Sequence, residues 1–291
     1  YYMPELPEVE VVKKSLNRLI SNLSIKKIVI NTKFLRFFVD AKEMQKIVNS
    51  KIISIKRRAK YLLFSLSNNY TILFHLGMTG KFIIIDSKKK RLKTSFYYEL
   101  SEKNSKHNHL IFEFKKNIKL IYNDVRKFGF VKIKKTSEIN KINHLVILGP
   151  EPLSKLFNYK YFVNYITNKK KPIKSLLMDQ NFVAGLGNIY VNEILFLSGI
   201  HPKKFINKLS KKKIKKVILN IKQILRSAII KGGSSIKNFN DTQGKSGKFQ
   251  QFFNVYGRDG NRCAKYKCNG MIKKIKQSSR ATFYCDICQK L

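Results

Sequence analysis

Apolar positions Val9, Val12, Leu16, Leu19 and Ile20 recur at steps of three and four, the period of a single helix face. They predict an amphipathic helix over 6–23, opened by Leu6-Pro7-Glu8-Val9-Glu10. Proline in a first turn, and acids beside the positive end of the helix dipole, suit such a start. From Ile25 to about Ile133 the pattern changes. Short β-branched and aromatic runs at 52–55, 61–66, 71–75, 81–85, 110–114, 119–123 and 130–133 alternate with Lys, Asn and Ser clusters. Strands this short and this close predict an antiparallel sandwich or barrel. Residues 135–152 read as a linker ending in Gly149-Pro150-Glu151-Pro152. Helical spacing then returns at about 158–167, 173–178, 189–198 and 210–230, where Gly232-Gly233 stops the last helix. Gly244 and Gly247, set among Lys, Ser, Asn and Gln, mark 237–253 as an exposed mobile loop. The expected fold class is α+β and multidomain: a β-sandwich flanked by helices over 3–134, a helical domain over 153–236, and a small module over 254–291.

That last module holds all four cysteines. Cys263 and Cys268 are separated by four residues, Cys285 and Cys288 by two, and sixteen residues lie between the pairs. Two knuckles joined by a hairpin-length spacer suit a tetrahedral four-thiolate zinc site, closed and therefore structural. Such ribbons grip nucleic acid or simply hold protein together. No apolar run approaches the roughly 18 to 20 residues of a membrane span, and no signal peptide is visible. A cytosolic location is expected, where clustered cysteines argue for metal over disulfides.

Charge narrows the partners. Sixty Lys and Arg against 17 Asp and Glu give a formal net charge of +43, which attracts polyanions, nucleic acid first. Codon drift in an AT-rich genome produces a similar Lys, Ile and Asn excess, so charge by itself names no chemistry. The basic runs Lys88–Arg91 and Lys211–Lys213 read as solvated surface.

The run Arg280-Ala281-Thr282-Phe283-Tyr284-Cys285-Asp286-Ile287-Cys288-Gln289-Lys290 resembles the closing signature of the bacterial formamidopyrimidine-DNA glycosylases. Met3-Pro4-Glu5-Leu6-Pro7-Glu8-Val9-Glu10 resembles their opening. Between them, in the family's order, stand Arg57-Arg58-Ala59-Lys60-Tyr61-Leu62, His75-Leu76-Gly77-Met78-Thr79-Gly80 and Arg126-Lys127-Phe128-Gly129. Leu148-Gly149-Pro150-Glu151-Pro152-Leu153 and Gly185-Leu186-Gly187-Asn188-Ile189-Tyr190 follow. The resemblance spans nearly the whole chain. It implies an N-terminal β-sandwich, a helix–two-turns–helix domain and a C-terminal zinc finger. It also implies a base-excision enzyme that removes oxidised purines from damaged double-stranded DNA and then cuts the strand. The expected protein is a cytoplasmic, nucleoid-associated bacterial monomer with one structural zinc ion and no membrane association.

Residue by residue, the resemblance makes Pro4 the nucleophile, a secondary amine that attacks C1′ of the sugar to give a Schiff base. Glu5 becomes the acid that protonates the ring oxygen, and Glu8 helps to orient the site. Lys60 serves β-elimination, and Arg280 clamps phosphates and is assigned to δ-elimination. Met78, Arg126 and Phe128 fill the void left by the flipped nucleotide, Phe128 as a wedge and Arg126 on the estranged cytosine. His107, Lys169 and Asn188 match further DNA-contact positions. Each residue also has a plainer reading: Pro4 and Pro7 as helix starters, Met78 and Phe128 as core, Lys60 and Lys169 as surface lysines, His107 as a loop histidine. There are three departures, two of them small. Lys127 sits where a second arginine is common, and the first cysteine pair is wider than in many relatives. Tyr1-Tyr2-Met3 precede Pro4, and while they remain its nitrogen is a non-nucleophilic amide. The expectation is a functional protein that starts at Met3 and then loses it.

Two other functions compete. An endonuclease VIII-like enzyme shares the Pro-Glu start but prefers oxidised pyrimidines. The Pro-Glu-Leu-Pro-Glu opening and the complete Met78, Arg126, Phe128 set favour the purine enzyme. A DNA-binding protein without turnover would keep the finger and the basic surface, and intact Pro4, Glu5, Lys60 and Arg280 argue against it.

Overall fold

The computed structural model describes residues 3–86, 91–93, 102–115, 117–234 and 249–291. They divide into two compact units, 3–146 with 232–234, and 147–231 with 249–291. Tyr1, Tyr2, Lys88–Lys90 and most of the expected loop at 237–253 lie outside the described residues. Among the described residues no helix is long and apolar enough to cross a membrane.

The first unit opens with helix α1 (Leu6–Ile20), which buries Leu6, Val9, Val12, Leu16 and Ile20 completely. It stops before the expected residue 23, because Ser21 is already extended and Asn22 turns into the left-handed region at φ 66°. Strand β1 (Ile25–Ile30) and a short helix α2 (Ala41–Gln45) follow. Then come β2 (Ile52–Arg58), β3 (Tyr61–Leu66), β4 (Tyr70–His75), β5 (Lys81–Ile85) and β6 (Arg91–Lys93). After these lie β7 (Asn108–Phe114), β8 (Lys119–Asn123), β9 (Phe130–Lys135) and helix α3 (Asn143–Val146). All pairings are antiparallel. One sheet has the order β1-β7-β8-β5-β6 and the other β2-β3-β4-β9.

Both sheets and α1 contribute to one core. Phe74 of β4 meets Phe82 of β5 edge-on at 5.0 Å and Phe112 of β7 at 6.1 Å, so aromatic rings of the two sheets interlock. Burying each such side chain stabilises by about 1.5–3 kcal/mol. The expected sandwich is the observed architecture.

The second unit contains α4 (Tyr159–Ile166), α5 (Ile173–Met178), α6 (Asn188–Ser198) and α7 (Lys211–Ile230). A hairpin of β10 (Ile272–Gln277) and β11 (Arg280–Cys285) completes it. Helix α6 is buried almost all round and ends at Gly199, whose φ of 61° makes a left-handed cap. Helix α7 is amphipathic: Ile214, Val217, Ile221, Ile224, Leu225 and Ala228 face inward. The run Lys211–Lys213 is not solvated surface throughout, as its composition suggested. Lys211 and Lys212 are exposed, but Lys213 is half-buried, and its Nζ donates to the Ser198 carbonyl at 3.1 Å and the Gly199 carbonyl at 3.0 Å. Carbonyls at the end of α6 have no partner within their own helix, and this ammonium supplies one.

Candidate active site

The start of α1 is closed by a reciprocal capping box. The Glu8 carboxylate accepts from the Glu5 amide at 3.0 Å, and the Glu5 carboxylate accepts from the Glu8 amide. Pro4, Glu5 and Glu8 are all buried. The other Glu8 oxygen accepts from the Ser234 amide and the Ser234 hydroxyl, each at 2.8 Å. One buried carboxylate therefore fixes both the residue after Pro4 and the backbone that follows the Gly232-Gly233 turn.

Lys60 stands half-buried on the turn between β2 and β3. Ala59 before it adopts φ 52°, and its carbonyl accepts from Arg57 Nη1 at 3.0 Å. Arg57 Nε also pairs with Glu10 of α1 at 2.7 Å. The same arginine thus ties the Lys60 turn to the helix that begins at Leu6.

The three residues expected to fill the void gather in one place. Arg126 lies over the Phe128 ring at 4.4 Å, and its Nη1 is 3.3 Å from Met78 Sδ. Phe128 is 44% exposed, which fits a projecting wedge and not a core residue. Two glycines permit this approach. A Cβ on Gly77 would come within 2.5 Å of the Gly129 amide, and one on Gly129 would collide with the Tyr122 hydroxyl. Behind the projection lies Asp124, fully buried. It accepts from the Gly129 amide at 2.8 Å, the Arg126 amide at 3.2 Å and the Thr79 hydroxyl, and Thr79 in turn accepts from the Arg126 amide at 3.0 Å. Asp124 was missed in the sequence, and Thr79 appeared there only as part of the His75–Gly80 block; a buried polar hub is recognised by its partners, and those come from two separate loops.

His107 ends a 3-10 turn, and its carbonyl accepts from the Asp124 amide at 3.1 Å, which places it beside the same hub. His75 precedes the Met78 turn. Its Nδ1 accepts from the Gly77 amide at 3.1 Å. Burial first, then the Lys60 and Arg36 charges, push its imidazole down to about 3, so it stays neutral.

In the second unit, Arg280 is exposed at the hairpin tip, after a turn in which Ser278 and Ser279 both have positive φ. Asn188 Nδ2 donates to the Ala281 carbonyl at 2.9 Å. The buried Lys174 donates to that carbonyl at 3.1 Å and to the Thr282 hydroxyl at 2.6 Å. Asn192 Oδ1 accepts from the Phe283 amide at 3.0 Å. Helices α5 and α6 therefore grip the strand that carries Arg280. Of the residues that do so, Lys174 and Asn192 carry no signal of their own in the sequence. Lys169 is exposed, its ammonium 3.4 Å from the centre of the Tyr165 ring.

The four thiols of Cys263, Cys268, Cys285 and Cys288 lie within 4.8 Å of one another, a group able to hold a metal ion. A tetrahedron built on 2.3 Å zinc–sulfur bonds has an edge of about 3.8 Å. The Cys263–Cys288 separation of 3.8 Å and the Cys268–Cys285 separation of 3.7 Å match that edge, and Cys268–Cys288 is shorter at 3.1 Å. The Gly270 amide points at Cys268 Sγ, and the Cys288 amide at Cys285 Sγ. A Cβ on Gly270 would stand 2.6 Å from Cys285 Sγ, so the knuckle must be glycine there. The donor set and its backbone cradle fit a tetrahedral, thiolate-bound metal. Segment 254–256 is held by buried Glu193, whose carboxylate accepts from the Asn254, Val255 and Tyr256 amides at 2.8 to 3.0 Å.

Comparison with known proteins agrees with this geometry. Residues 3–131 match the formamidopyrimidine-DNA glycosylase N-terminal domain, and residues 148–240 the formamidopyrimidine-DNA glycosylase H2TH domain. A formamidopyrimidine-DNA glycosylase of Rickettsia bellii is 42% identical over 288 residues, covering 99% of this chain and all of that protein. One from a Ruegeria species is 36% identical over the same length. The Lactococcus lactis enzyme, solved in complex with DNA containing an abasic site, superimposes with a TM-score of 0.83 at 34% identity, covering 99% of this chain and 100% of that one. A second L. lactis structure, a point mutant with Fapy-dG-containing DNA, gives 0.85 at 35% identity with the same coverage. The chain belongs to the formamidopyrimidine-DNA glycosylase family.

Proposed function

We propose that this protein is a base-excision DNA glycosylase with strand-cleaving activity, acting on oxidised purines (8-oxoguanine and formamidopyrimidines) in duplex DNA. The observation that carries the reading is the Met78–Arg126–Phe128 projection, held on Asp124 in the unit that buries Pro4 and Glu5 at the start of α1. Solved relatives hold DNA with Fapy-dG and with carbocyclic 8-oxo-G, and their substrates come to this chain by that likeness.

In the proposed sequence the damaged nucleotide leaves the stack, and Phe128, Met78 and Arg126 occupy the gap. Once Met3 is removed, Pro4 is a free secondary amine; α-amino groups titrate at about 7.7 to 8.0, so a useful fraction is neutral. Its lone pair forms a bond to C1′ as the glycosidic bond breaks and the base departs. Glu5 delivers a proton to the ring oxygen, the sugar opens, and the nitrogen–C1′ bond becomes a Schiff base. Loss of a C2′ proton then expels the 3′ phosphate, with Lys60 protonating or holding the departing group. A second elimination releases the 5′ phosphate, which Arg280 clamps; a permanently charged guanidinium suits that role better than proton transfer. His107, Lys169 and Asn188 supply further backbone contacts. Cys263, Cys268, Cys285 and Cys288 hold one structural zinc ion, which would brace the hairpin bearing Arg280 and takes no part in the chemistry.

The test uses protein processed to a free Pro4, a duplex with one 8-oxoguanine opposite cytosine, and sodium borohydride. A covalent adduct is expected, mapping to Pro4 and absent from protein that retains Met3. Tight binding without an adduct would remove Pro4 as the nucleophile. Faster release of oxidised pyrimidines than of 8-oxoguanine would overturn the substrate assignment in favour of an endonuclease VIII-like enzyme.

A further inference from the structure

The four-residue spacing of the first cysteine pair, Cys263 and Cys268, has a structural consequence. Its four-residue knuckle carries Lys265, Tyr266 and Lys267, all exposed, with Tyr266 at 85%. Lys267 Nζ lies 5.3 Å from the Tyr266 ring centre. No packing requirement accounts for a tyrosine displayed this way between two cations.

This knuckle adjoins a second group of lysines. The Lys213 ammonium caps the end of α6 and is pushed below the usual lysine range, first by burial and then by Lys216, Lys204, Lys265 and Lys212. Gly199 lies against both the Lys213 ammonium and the Cys288 carbonyl, and Cys288 Sγ is 3.8 Å from the Sγ of Cys263, where the knuckle begins. Lys212 and Lys213 of this group, together with Lys211, occupy the first turn of α7, where cations oppose the helix dipole and no acid relieves them. Among the described residues, no carboxylate pairs with Lys204, Lys211, Lys212, Lys216, Lys265 or Lys267. The surface has accumulated like charge at some expense to folding and without an internal counter-charge.

Its position separates it from Arg280. The hairpin runs from Gln277 opposite Arg280 at the tip to Ile272 opposite Cys285 at the base, five steps or about 17 Å. Helix α6 spans the same direction. Asn188 at its start touches Ala281 near the tip, and Gly199 beyond its end lies beside the Cys288 carbonyl and Lys213 at the base. Phosphate contacts at Arg280 and Asn188 therefore leave the lysine–tyrosine surface at the far end of the same unit.

The geometry points to this surface as a second DNA-binding site, formed by the Lys265–Tyr266 knuckle and the lysines at the start of α7, which takes the phosphate backbone of a second duplex segment. Lysine ammonium groups and a tyrosine hydroxyl are common phosphate-contacting groups and carry no sequence information, so the site is non-specific. It rests on the reading that the Arg280 end faces damaged DNA. Its use would be to hold the enzyme on neighbouring DNA while one duplex is processed, which raises the local concentration of sites.

The experiment is a bridging assay with the full, processed protein. A duplex is immobilised on beads, and a short, fluorescent, undamaged duplex is offered in solution. Wild type is expected to retain the second duplex. A variant with Lys211→Ala, Lys212→Ala, Lys265→Ala and Tyr266→Ala should lose at least about threefold of that retention. A companion with the three lysines changed to Arg and Tyr266 kept should retain it. Excision of 8-oxoguanine from a short duplex should be unchanged in both, and circular dichroism should show a thermal midpoint no lower than that of wild type, since removing like charge at the start of α7 relieves repulsion. Equal retention by the alanine variant, or none by wild type, would overturn the proposal. A parallel loss of excision would also overturn it, by placing these residues in the first site. If wild type failed to process the lesion at all, the underlying functional reading would be at fault instead.

Discussion

At the scale of single residues, the turn bearing Lys60 shows how the side chain proposed to serve elimination is positioned. Ala59 is buried and held at φ 52°, a conformation that non-glycine residues rarely adopt. The Arg57 bond to its carbonyl fixes that backbone, and Glu10 fixes Arg57. Burial would raise the Glu10 carboxyl, but hydrogen bonds from Lys13 and Arg57 outweigh it and hold the group below the usual carboxylate range. A depressed carboxylate contributes stability above its unfolded pKa of about 4.3 and loses it as pH falls through the folded value, so the brace is intact near neutrality. Arg57→Gln should therefore slow strand cleavage by about tenfold, since small misplacements of reacting groups have large rate effects. Lys60→Ala should slow it further. The decisive measurement is the double variant: if Arg57 acts through Lys60, adding Arg57→Gln to Lys60→Ala changes nothing more. Independent, multiplying losses would assign Arg57 another role. Pro4, Lys60 and Arg126 were visible in the sequence because each sits in a contiguous motif. Arg57 was visible only as part of the Lys60 block, and Asp124 and Glu193 not at all, because their importance lies in bonds to distant backbone.

At the scale of elements, periodicity located most strands of the sandwich and the four helices of the second unit, since each buries one regular face. It did worse where burial is not the stabilising term. Strand β1 reads Ile-Lys-Lys-Ile-Val-Ile and has a register shift between Ile25 and Lys27, so its alternation is broken. Strand β10 reads Ile-Lys-Lys-Ile-Lys-Gln and buries only Ile272. With so small an apolar face, that hairpin depends on the grip of Lys174, Asn188 and Asn192 and on the metal ion that its four cysteines are able to hold. Removing the metal should therefore release residues 254–291 and spare the sandwich, whose core is separate. After chelation, with metal loss verified by elemental analysis, proteolysis should cut first within 254–291, and Cys268→Ser should behave likewise without chelator. Unchanged protection of this segment in metal-free protein would show that packing alone holds the ribbon.

At the scale of the whole molecule, the charge of +43 was legible from composition, but its distribution was not. Only cations within about a Debye length of bound DNA count, roughly 8 Å at physiological salt, so the number of neutralised phosphates falls far below the net charge. Roughly six to ten such contacts would weaken binding to undamaged duplex by about 10³ to 10⁵ between 50 and 200 mM salt. The more telling comparison sets that line beside the one for lesion-bearing duplex. Phosphate contacts are common to both, whereas the proposed stacking of Phe128 and bonding of Arg126 to the opposite base would release few counterions. The two plots of log affinity against log salt should be displaced vertically and run parallel. A flatter lesion line would mean that turning out the damaged nucleotide gives up phosphate contacts. A steeper one would mean that it recruits lysines which the undamaged duplex never reaches.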